Sequence, residues 1–184
     1  MPETIDEGLF LSVAGLEQWV TIRGRDRANP ALMILTGAGA AFSALAPVFA
    51  PWEERFTLVQ WDQPGAGATL AANPDDQQPL TYDRLARDGG SVVEAVCTRL
   101  GVPKLSLFAI SGGSVTGLRM LRAGPERIAA YVGNGQVTHW RRQEALAYRI
   151  MLEQAEGDAA ATAELTAIGP PPWADVAAEL AKSR

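Results

Sequence analysis

Hydrophobic residues along this chain gather into short runs, separated by longer stretches of mixed pattern. Two of these runs, at 8–13 and 18–23, flank the turn-like Ala14-Gly15-Leu16 and predict a β-hairpin. The apolar runs that follow predict four more strands, at 31–35, 56–61, 104–110 and 128–132. The pattern therefore begins with a strand pair and continues with strands that lie farther apart in the sequence.

The segments between the later strands carry helical patterns. One helix is predicted to begin near Ser43, a long one to run from 81 to 100, and a shorter one to cover 115–121. Strands that are separated by helices favour a parallel sheet, because a parallel connection must cross over one face of the sheet. The pattern therefore predicts an α/β fold, with a mostly parallel sheet and helices on both faces.

Two other segments have a different pattern. Residues 63–80 contain glycines, prolines and an Asn-Pro-Asp-Asp turn, which predict an irregular loop. From Val137 onward the chain is alanine-rich and helical in period, and it shows no further strand pattern. We therefore predict two domains, an α/β core at 1–137 and a helical segment at 138–184.

Charge and composition argue against several kinds of partner. The formal net charge is −5 and the sequence has no block of lysines or arginines, so neither nucleic acid nor a membrane surface is expected to bind. No stretch approaches the roughly 18 apolar residues of a membrane-spanning helix. The first residues lack the apolar core of a signal peptide, which predicts a cytoplasmic location. The only cysteine, Cys97, is expected to be buried, and one cysteine with one histidine predicts no metal site.

A serine stands where a predicted strand is followed by a predicted helix. Ser111 comes directly after the apolar run at 104–110, and Gly112 and Gly113 follow it. This is the pattern of a nucleophile elbow, small-x-Ser-x-Gly, with Ala109 at the first small position. Such a turn projects the hydroxyl from the sheet and needs small neighbours, so that strand and helix do not collide. The alternative is an ordinary strand-to-helix turn that contains a serine.

Two further motifs stand at the ends of predicted strands. Thr36-Gly37-Ala38-Gly39-Ala40 follows the strand at 31–35, and Asp62-Gln63-Pro64-Gly65 follows the strand at 56–61. With Ala109-Ile110-Ser111-Gly112-Gly113-Ser114, they resemble His-Gly-Gly-Pro-Gly, Asp-Gln-Arg-Gly and Gly-x-Ser-Trp-Gly-Ser of the α/β-hydrolase family, in its proline-iminopeptidase-like branch. The resemblance implies an incomplete α/β-hydrolase core followed by the start of a helical cap.

The resemblance also implies a serine hydrolase that needs no metal or organic cofactor. Ser111 would attack the carbonyl of an ester, an amide or an N-terminal peptide bond, and water would then hydrolyse the acyl-enzyme. Gly112 would supply one N–H of the oxyanion hole, and the segment of Gly37 and Ala38 would supply the other. The implied partner is a small-molecule ester or amide, or a short peptide.

Several residues depart from the motifs of the family. Thr36 replaces the histidine and Gly39 replaces the proline, which loosens a loop that should be preorganised. Ala38 and Ala40 replace glycines, so a positive φ angle at either position would cost energy. Pro64 replaces the arginine and removes a charge near the site. Together these changes predict a weakened site.

In this family the catalytic acid and histidine come after the serine, on loops that follow later strands. The only histidine here, His139, comes soon after the strand at 128–132, where the cap of the family begins. We therefore expect it to be a hinge or surface residue rather than the base. The chain is interpreted as the N-terminal portion of a hydrolase, impaired without its acid and base. The strand at 128–132 would then be an open apolar edge, which predicts self-association.

Other polar and aromatic residues have more ordinary interpretations. Ser114 is expected to pack or hydrogen-bond near the elbow, and Asp62 to shape the turn below the site. In the family, cap carboxylates can hold the amino terminus of a substrate, but most charged residues on a helix form a solvated face. The carboxylates on the predicted cap helices are Glu144, Glu153 and Glu156. Trp52, Trp61, Trp140 and Trp173 are expected to be packing residues, with a cap pocket as the alternative for Trp140 and Trp173.

Two other functions stay open at this point. Gly37-x-Gly39-x-x-Phe42 follows a strand and Asp62 ends the next one, which is the outline of a dinucleotide-binding turn. Phe42 stands where that turn needs a third glycine or alanine, and Asp62 is better explained by the Asp-Gln-x-Gly motif. The other alternative is a non-catalytic hydrolase relative that binds a ligand or a protein partner.

Overall fold

Residues 3–172 are described by the computed structural model, and the strands among them form one six-stranded sheet. The strands are β1 (Ile5–Val13), β2 (Leu16–Gly24), β3 (Ala31–Leu35), β4 (Thr57–Trp61), β5 (Leu105–Ile110) and β6 (Ile128–Asn134). Their order across the sheet is β1-β2-β4-β3-β5-β6. β1, β2 and β4 pair antiparallel, whereas β4, β3, β5 and β6 pair parallel. The predicted hairpin and the mixed, mostly parallel sheet are confirmed.

Helices and helical turns cover both faces of this sheet. The helices of the described core are α1 (Ala46–Phe49), α2 (Gly67–Ala72), α3 (Tyr82–Leu100) and α4 (Gly113–Ala123). On one face, Leu85 of α3 and Met120 of α4 join Met33 of β3 in the main buried cluster. On the other face, Phe42 joins Ile34 of β3 in a second cluster. Successive residues of β3 thus point to opposite faces, and both faces are buried, as the predicted α/β class requires.

The helix expected from Ser43 is broken into short pieces. Two 3-10 turns, Phe42–Leu45 and Ala50–Glu54, flank the four-residue α1. Pro47 lies in the first turn of α1 and Pro51 in the first turn of the second 3-10 segment. Proline has no N–H to donate, so each one is favoured at the start of a helical segment and disfavoured inside it.

The segment at 63–80, expected to be irregular, contains α2. The side chain of Asp62 organises it, because Oδ2 accepts a hydrogen bond from the N–H of Ala68 at 3.0 Å. The carbonyl of Asp62 also accepts one from Oγ1 of Thr69, at 2.5 Å. Asp62 lies outside α2 in the sequence, so the local pattern of α2 alone did not predict the helix.

The chain divides into two compact units, Met1–Val137 and Thr138–Arg184. The second contains α5 (Trp140–Gln154) and α6 (Ala159–Ile168). Asp158 caps α6, because its carboxylate accepts hydrogen bonds from two N–H groups of the first turn. The interpretation of this unit as part of a hydrolase cap stays a prediction. Within residues 3–172, no helix has both the length and the apolar character that a membrane span requires.

Candidate active site

Ser111 lies in a sharp turn between β5 and α4, and its backbone conformation is rare for a residue with a side chain. Its φ angle is +52°, and Ala14 is the only other non-glycine residue of the described chain with a positive φ. The N–H of Ser111 donates to the carbonyl of Asn134 at 2.8 Å, and its own carbonyl accepts from the N–H of Ser114 at 2.9 Å. These bonds hold a strained turn in place, and Ser111 is exposed at its tip. This backbone geometry is the one that the predicted nucleophile elbow requires, and the role of Ser111 as a nucleophile stays a prediction.

Small residues flank the serine because other elements pack directly against the turn. Ala109 is fully buried in β5. A Cβ atom on Gly113 would lie 2.6 Å from the backbone nitrogen of Thr36, and closer still to the carbonyl group of Leu35. The first residue of α4 therefore sits directly on the end of β3, where only glycine fits.

The loop after β3 approaches the elbow where the oxyanion hole is predicted. The Cα atom of Gly37 lies 3.2 Å from the position that a Cβ atom on Gly112 would occupy. The structure thus brings Ser111, Gly112 and Gly37 together, with Ala38 exposed in the same loop. The use of their N–H groups as donors to a substrate stays a prediction.

This loop is free of the strain that its alanines could have caused. Gly39 has a φ of +69°, whereas neither Ala38 nor Ala40 has a positive φ. A proline could not replace Gly39 in this conformation, because its ring holds φ near about −65°. Gly39 therefore stands at a position whose backbone conformation excludes the proline of the family motif.

Asp62 and Gln63 support the loop through buried hydrogen bonds. The Asp62 carboxylate accepts from the N–H of Ser43 at 2.9 Å and from that of Ala68 at 3.0 Å. The backbone N–H of Gln63 donates to the carbonyl of Ala40 at 3.0 Å, and the Gln63 side chain accepts from the N–H of Ala40 at 3.4 Å. Asp62 thus shapes the turns around the site, in the way that the family resemblance implied.

Ser114 joins the elbow to the segment that follows β6. Its Oγ donates to the carbonyl of Ser111 at 2.6 Å and accepts from the N–H of Val137 at 2.9 Å. Nearby, the hydroxyl of Tyr131 donates to Oε1 of Gln136 at 2.6 Å. Burial raises the pKa of the Tyr131 phenol, so this group stays a donor at neutral pH. Ser114 therefore has the hydrogen-bonding role that was expected of it.

A buried polar network joins the sheet to the loop before α3, and the sequence analysis did not find it. Nε1 of Trp61 donates to Oε1 of Gln18 at 2.9 Å, and Nε2 of Gln18 donates to Oδ2 of Asp88 at 3.1 Å. Arg84 forms ion pairs with Asp88 at 3.8 Å and with Asp76 at 2.6 Å. A strand glutamine and a helix arginine carry no local sign of burial, so only the fold reveals this network.

His139 has a structural role in the second unit. Its Nδ1 accepts a hydrogen bond from the N–H of Arg142 at 3.4 Å, which caps the first turn of α5. The residue is exposed. A capping, exposed histidine agrees with the expectation of a surface residue, and that it is not the catalytic base stays a prediction.

The cap carboxylates and tryptophans proposed from the sequence lie in the same unit. Glu153 pairs with Arg149 at 3.7 Å, and both side chains are exposed. Glu144 is half-buried on α5, and Glu156 is exposed just after that helix. Trp140 is exposed at the start of α5. Trp173 lies outside the described residues.

The structure argues against the dinucleotide-binding alternative. The loop at 36–41 leads into a 3-10 turn and not into a long helix whose N-terminus could face a pyrophosphate. Phe42 is buried in the second hydrophobic cluster, and the Asp62 carboxylate is already bound to backbone N–H groups. Between residues 3 and 172, no group of three or more His, Cys, Asp or Glu side chains could hold a metal ion. Cys97 is buried, as predicted, and burial raises the pKa of its thiol.

Comparison with known proteins identifies several that are similar to this chain, although no family model matches the sequence. The chain is 28% identical over 167 residues to the probable aminopeptidase YbaC of Bacillus subtilis, covering 89% of this chain and 52% of that protein. A proline iminopeptidase-related protein from Thermus thermophilus has a TM-score of 0.63 and 24% identity, with 86% of this chain and 59% of that chain covered. A carboxyl esterase from Bacillus coagulans has a TM-score of 0.62 and 12% identity, with 86% and 53% covered.

The chain thus spans a little over half the length of these relatives, which are 52%, 59% and 53% covered. The matched parts cover between 86% and 89% of this chain. This agreement holds at low sequence identity, so it concerns the fold. The chain therefore has the α/β-hydrolase fold, as the three loop motifs of its sequence indicated.

Proposed function

We propose that this chain carries the nucleophile and the oxyanion hole of a serine hydrolase in the proline-iminopeptidase-like branch of the fold. The observation that supports this most is the conformation of Ser111, with a positive φ at the exposed tip of a hydrogen-bonded turn. Strain of this kind is usually found where a side chain must be presented to a ligand. The approach of Gly37 to Gly112 supports the oxyanion hole, because both can offer backbone N–H groups beside the serine.

The proposed reaction is acyl transfer to water. Oγ of Ser111 adds to a carbonyl carbon and gives up its proton, and the leaving group departs with that proton. Water then hydrolyses the ester formed on the serine, which releases the acid and restores the hydroxyl. The relatives named as aminopeptidase, iminopeptidase-related protein and esterase support an N-terminal peptide bond, an amide or an ester as the bond that is cleaved.

We expect this chain to be a slow hydrolase by itself. Its only histidine caps α5, so its role there is structural. A serine hydroxyl without a general base is a weak nucleophile at pH 7. A segment or partner that supplies the base would therefore increase the rate without changing the nucleophile.

The first test is covalent labelling with a fluorophosphonate, measured by intact mass. We expect one adduct on the wild-type chain, formed slowly because the serine is a weak nucleophile without a general base. We expect none on Ser111→Ala, because that substitution removes the attacking oxygen. Ser91→Ala is the matched control, since Ser91 is an exposed serine on α3. It should leave the adduct unchanged.

A chain that is folded by circular dichroism and yet takes up no adduct would contradict the proposed hydrolase. That result would favour the non-catalytic alternative, a hydrolase relative that binds a ligand or partner. Ser111→Ala would then change ligand binding little, which thermal-shift measurements with candidate esters and peptides would show.

We further propose that two copies of this chain associate through β6. This strand ends the sheet order, so its outer edge has no strand partner within residues 3–172. Val132 is 54% exposed, and Ala129 and Ala130 are exposed beside it. An exposed apolar edge presents unpaired N–H and C=O groups to a second strand.

Light scattering after size exclusion tests this association. We expect the wild-type chain to exceed its monomer mass of 19.6 kDa at high concentration. Val132→Lys should restore the monomer, because a charged edge residue disfavours strand pairing. Val48→Lys is the control, since Val48 is 65% exposed away from the sheet edge. A wild-type monomer at every concentration would show that β6 does not pair.

A further inference from the structure

The start of α3 places another side chain at the predicted oxyanion hole. Thr81 caps this helix, because its Oγ1 accepts a hydrogen bond from the N–H of Arg84 at 3.1 Å. Tyr82 follows as the first helical residue. A Cβ atom on Gly112 would lie 3.2 Å from the Tyr82 hydroxyl oxygen and 3.2 Å from the Cα atom of Gly37. The Tyr82 hydroxyl and the backbone of Gly37 therefore both lie beside Gly112.

The ring of Tyr82 is held by contacts on α3 and α4. It is half-buried and packs against the main hydrophobic cluster. The guanidinium of Arg119 lies 5.5 Å from the ring centroid, and Nε of Arg119 pairs with Asp83 at 2.8 Å. The ring and the cation thus fix each other. The hydroxyl is preorganised beside the elbow.

The Tyr82 hydroxyl also has a hydrogen atom to donate. Among residues 3–172, none accepts a hydrogen bond from it. The hydroxyls of Tyr131 and Tyr148, in contrast, donate at 2.6 Å and 2.9 Å. A phenol without an acceptor, close to the backbone of Gly37 and Gly112, is suited to donate a hydrogen bond to an anionic oxygen.

We infer that the Tyr82 hydroxyl is an additional hydrogen-bond donor to the oxyanion, an inference that rests on the proposed function. When Ser111 adds to a carbonyl, the electron pair of the C=O bond moves to the oxygen, which becomes negative. The phenol donates to that oxygen beside the N–H of Gly112, and no bond to Tyr82 is made or broken. Because the charge develops only as the reaction proceeds, the donor stabilises the transition state more than the bound substrate.

The loop at 36–40, which departs most from the family motif, lies close to the start of α3, where Tyr82 is. Thr36 and Gly39 replace the histidine and proline of the motif, and a Cβ atom on Gly39 would lie 3.2 Å from the side chain of Leu80, just before α3. The loop at 36–40 and the start of α3 thus contact each other. A donor from α3 supplies part of the stabilisation that the altered loop would provide.

The test compares the rate of fluorophosphonate labelling in wild type and Tyr82→Phe. The phosphoryl oxygen takes the place of the carbonyl oxygen, so loss of the donor should slow labelling about 10- to 100-fold. This is at or below the lower end of the roughly 100- to 1,000-fold effect of an oxyanion-hole donor, because backbone donors remain. The maximal rate constant should fall while the half-saturating reagent concentration stays the same. Tyr148→Phe is the control, because it removes a hydroxyl from the second unit and should not change the rate.

The outcomes separate this inference from the function on which it rests. Equal labelling rates in wild type and Tyr82→Phe would overturn the role of Tyr82 and leave Ser111 as the nucleophile. No labelling of the folded wild type would overturn both. If Tyr82→Phe does not fold, Arg119→Met replaces it. That variant leaves the hydroxyl but frees the ring, and it should slow labelling severalfold; an unchanged rate would again overturn the inference.

Discussion

Replacing Gly113 with alanine is expected to lower the free energy of unfolding of the core by about 3 kcal/mol, the upper part of the range for overpacking. The added methyl group would lie 2.5 Å from the carbonyl carbon of Leu35 and 2.6 Å from the nitrogen of Thr36. These are backbone atoms and cannot rotate away, so α4 must move from β3. Urea unfolding followed by circular dichroism should show a lower midpoint, and labelling of Ser111 should be lost as the elbow shifts.

Gly90→Ala is the matched control for this change. Gly90 lies in the middle of α3, it is exposed, and no atom would lie within 4 Å of an added Cβ. Alanine should therefore stabilise the helix by about 0.5–1 kcal/mol. If Gly113→Ala unfolds at the same urea concentration as the wild type, α4 does not pack against β3 as closely as described.

Arg84→Met is expected to cost about 3–5 kcal/mol, because it leaves two buried carboxylates without their cation. Arg84 forms ion pairs with Asp76 and Asp88, and all three side chains are at most 9% exposed. NH1 of Arg84 also donates to the carbonyl of Gln78 at 2.8 Å. The substitution should therefore loosen the loop before α3 as well as destabilise the core, and urea unfolding at pH 7 measures the loss.

The control is Arg25→Met, which breaks the exposed pair of Arg25 and Glu54. Their charged groups lie 3.6 Å apart, and the two side chains are 66% and 67% exposed. Such pairs contribute about 0–1 kcal/mol, because water screens the charges. Losses of equal size in the two variants would mean that the Arg84 pairs are not buried as described.

The loss of stability in Arg84→Met, measured by urea unfolding, is expected to depend on pH. The hydrogen bond from Arg84 holds the pKa of Asp76 below its ordinary value. The carboxylate therefore contributes stability above the pKa of the unfolded chain, about 3.9, and this contribution is lost as the pH falls through the lower folded pKa. We expect the difference between wild type and Arg84→Met to become smaller across this acidic range.

Much of the fold could be predicted from the sequence because each strand or helix depends on a local pattern. The apolar run of β5 ends just before Ser111, and the helical periodicity of α3 is visible over its whole length. The strand order was not predicted, because β2 pairs with β4, and β3 lies between β4 and β5. These neighbours are separated in the sequence, and no local pattern encodes which edges meet.

The candidate site divides in the same way. Residue type and spacing pointed to Ser111 and Gly112, and the resemblance to the α/β-hydrolase family implied the segment of Gly37 and Ala38. The place of Tyr82 was decided only by the tertiary structure. A tyrosine in the first turn of a helix has the same local pattern whether its hydroxyl faces water or an oxyanion hole.

Glycines show this limit most clearly. Gly90 and Gly113 are both glycines in helices. Gly90 faces open space, whereas Gly113 packs against the backbone at the end of β3. The sequence determined which segments become strands, helices and turns, because those preferences come from neighbouring residues. The tertiary structure alone decided which atoms meet across the core, because packing joins residues that are far apart along the chain.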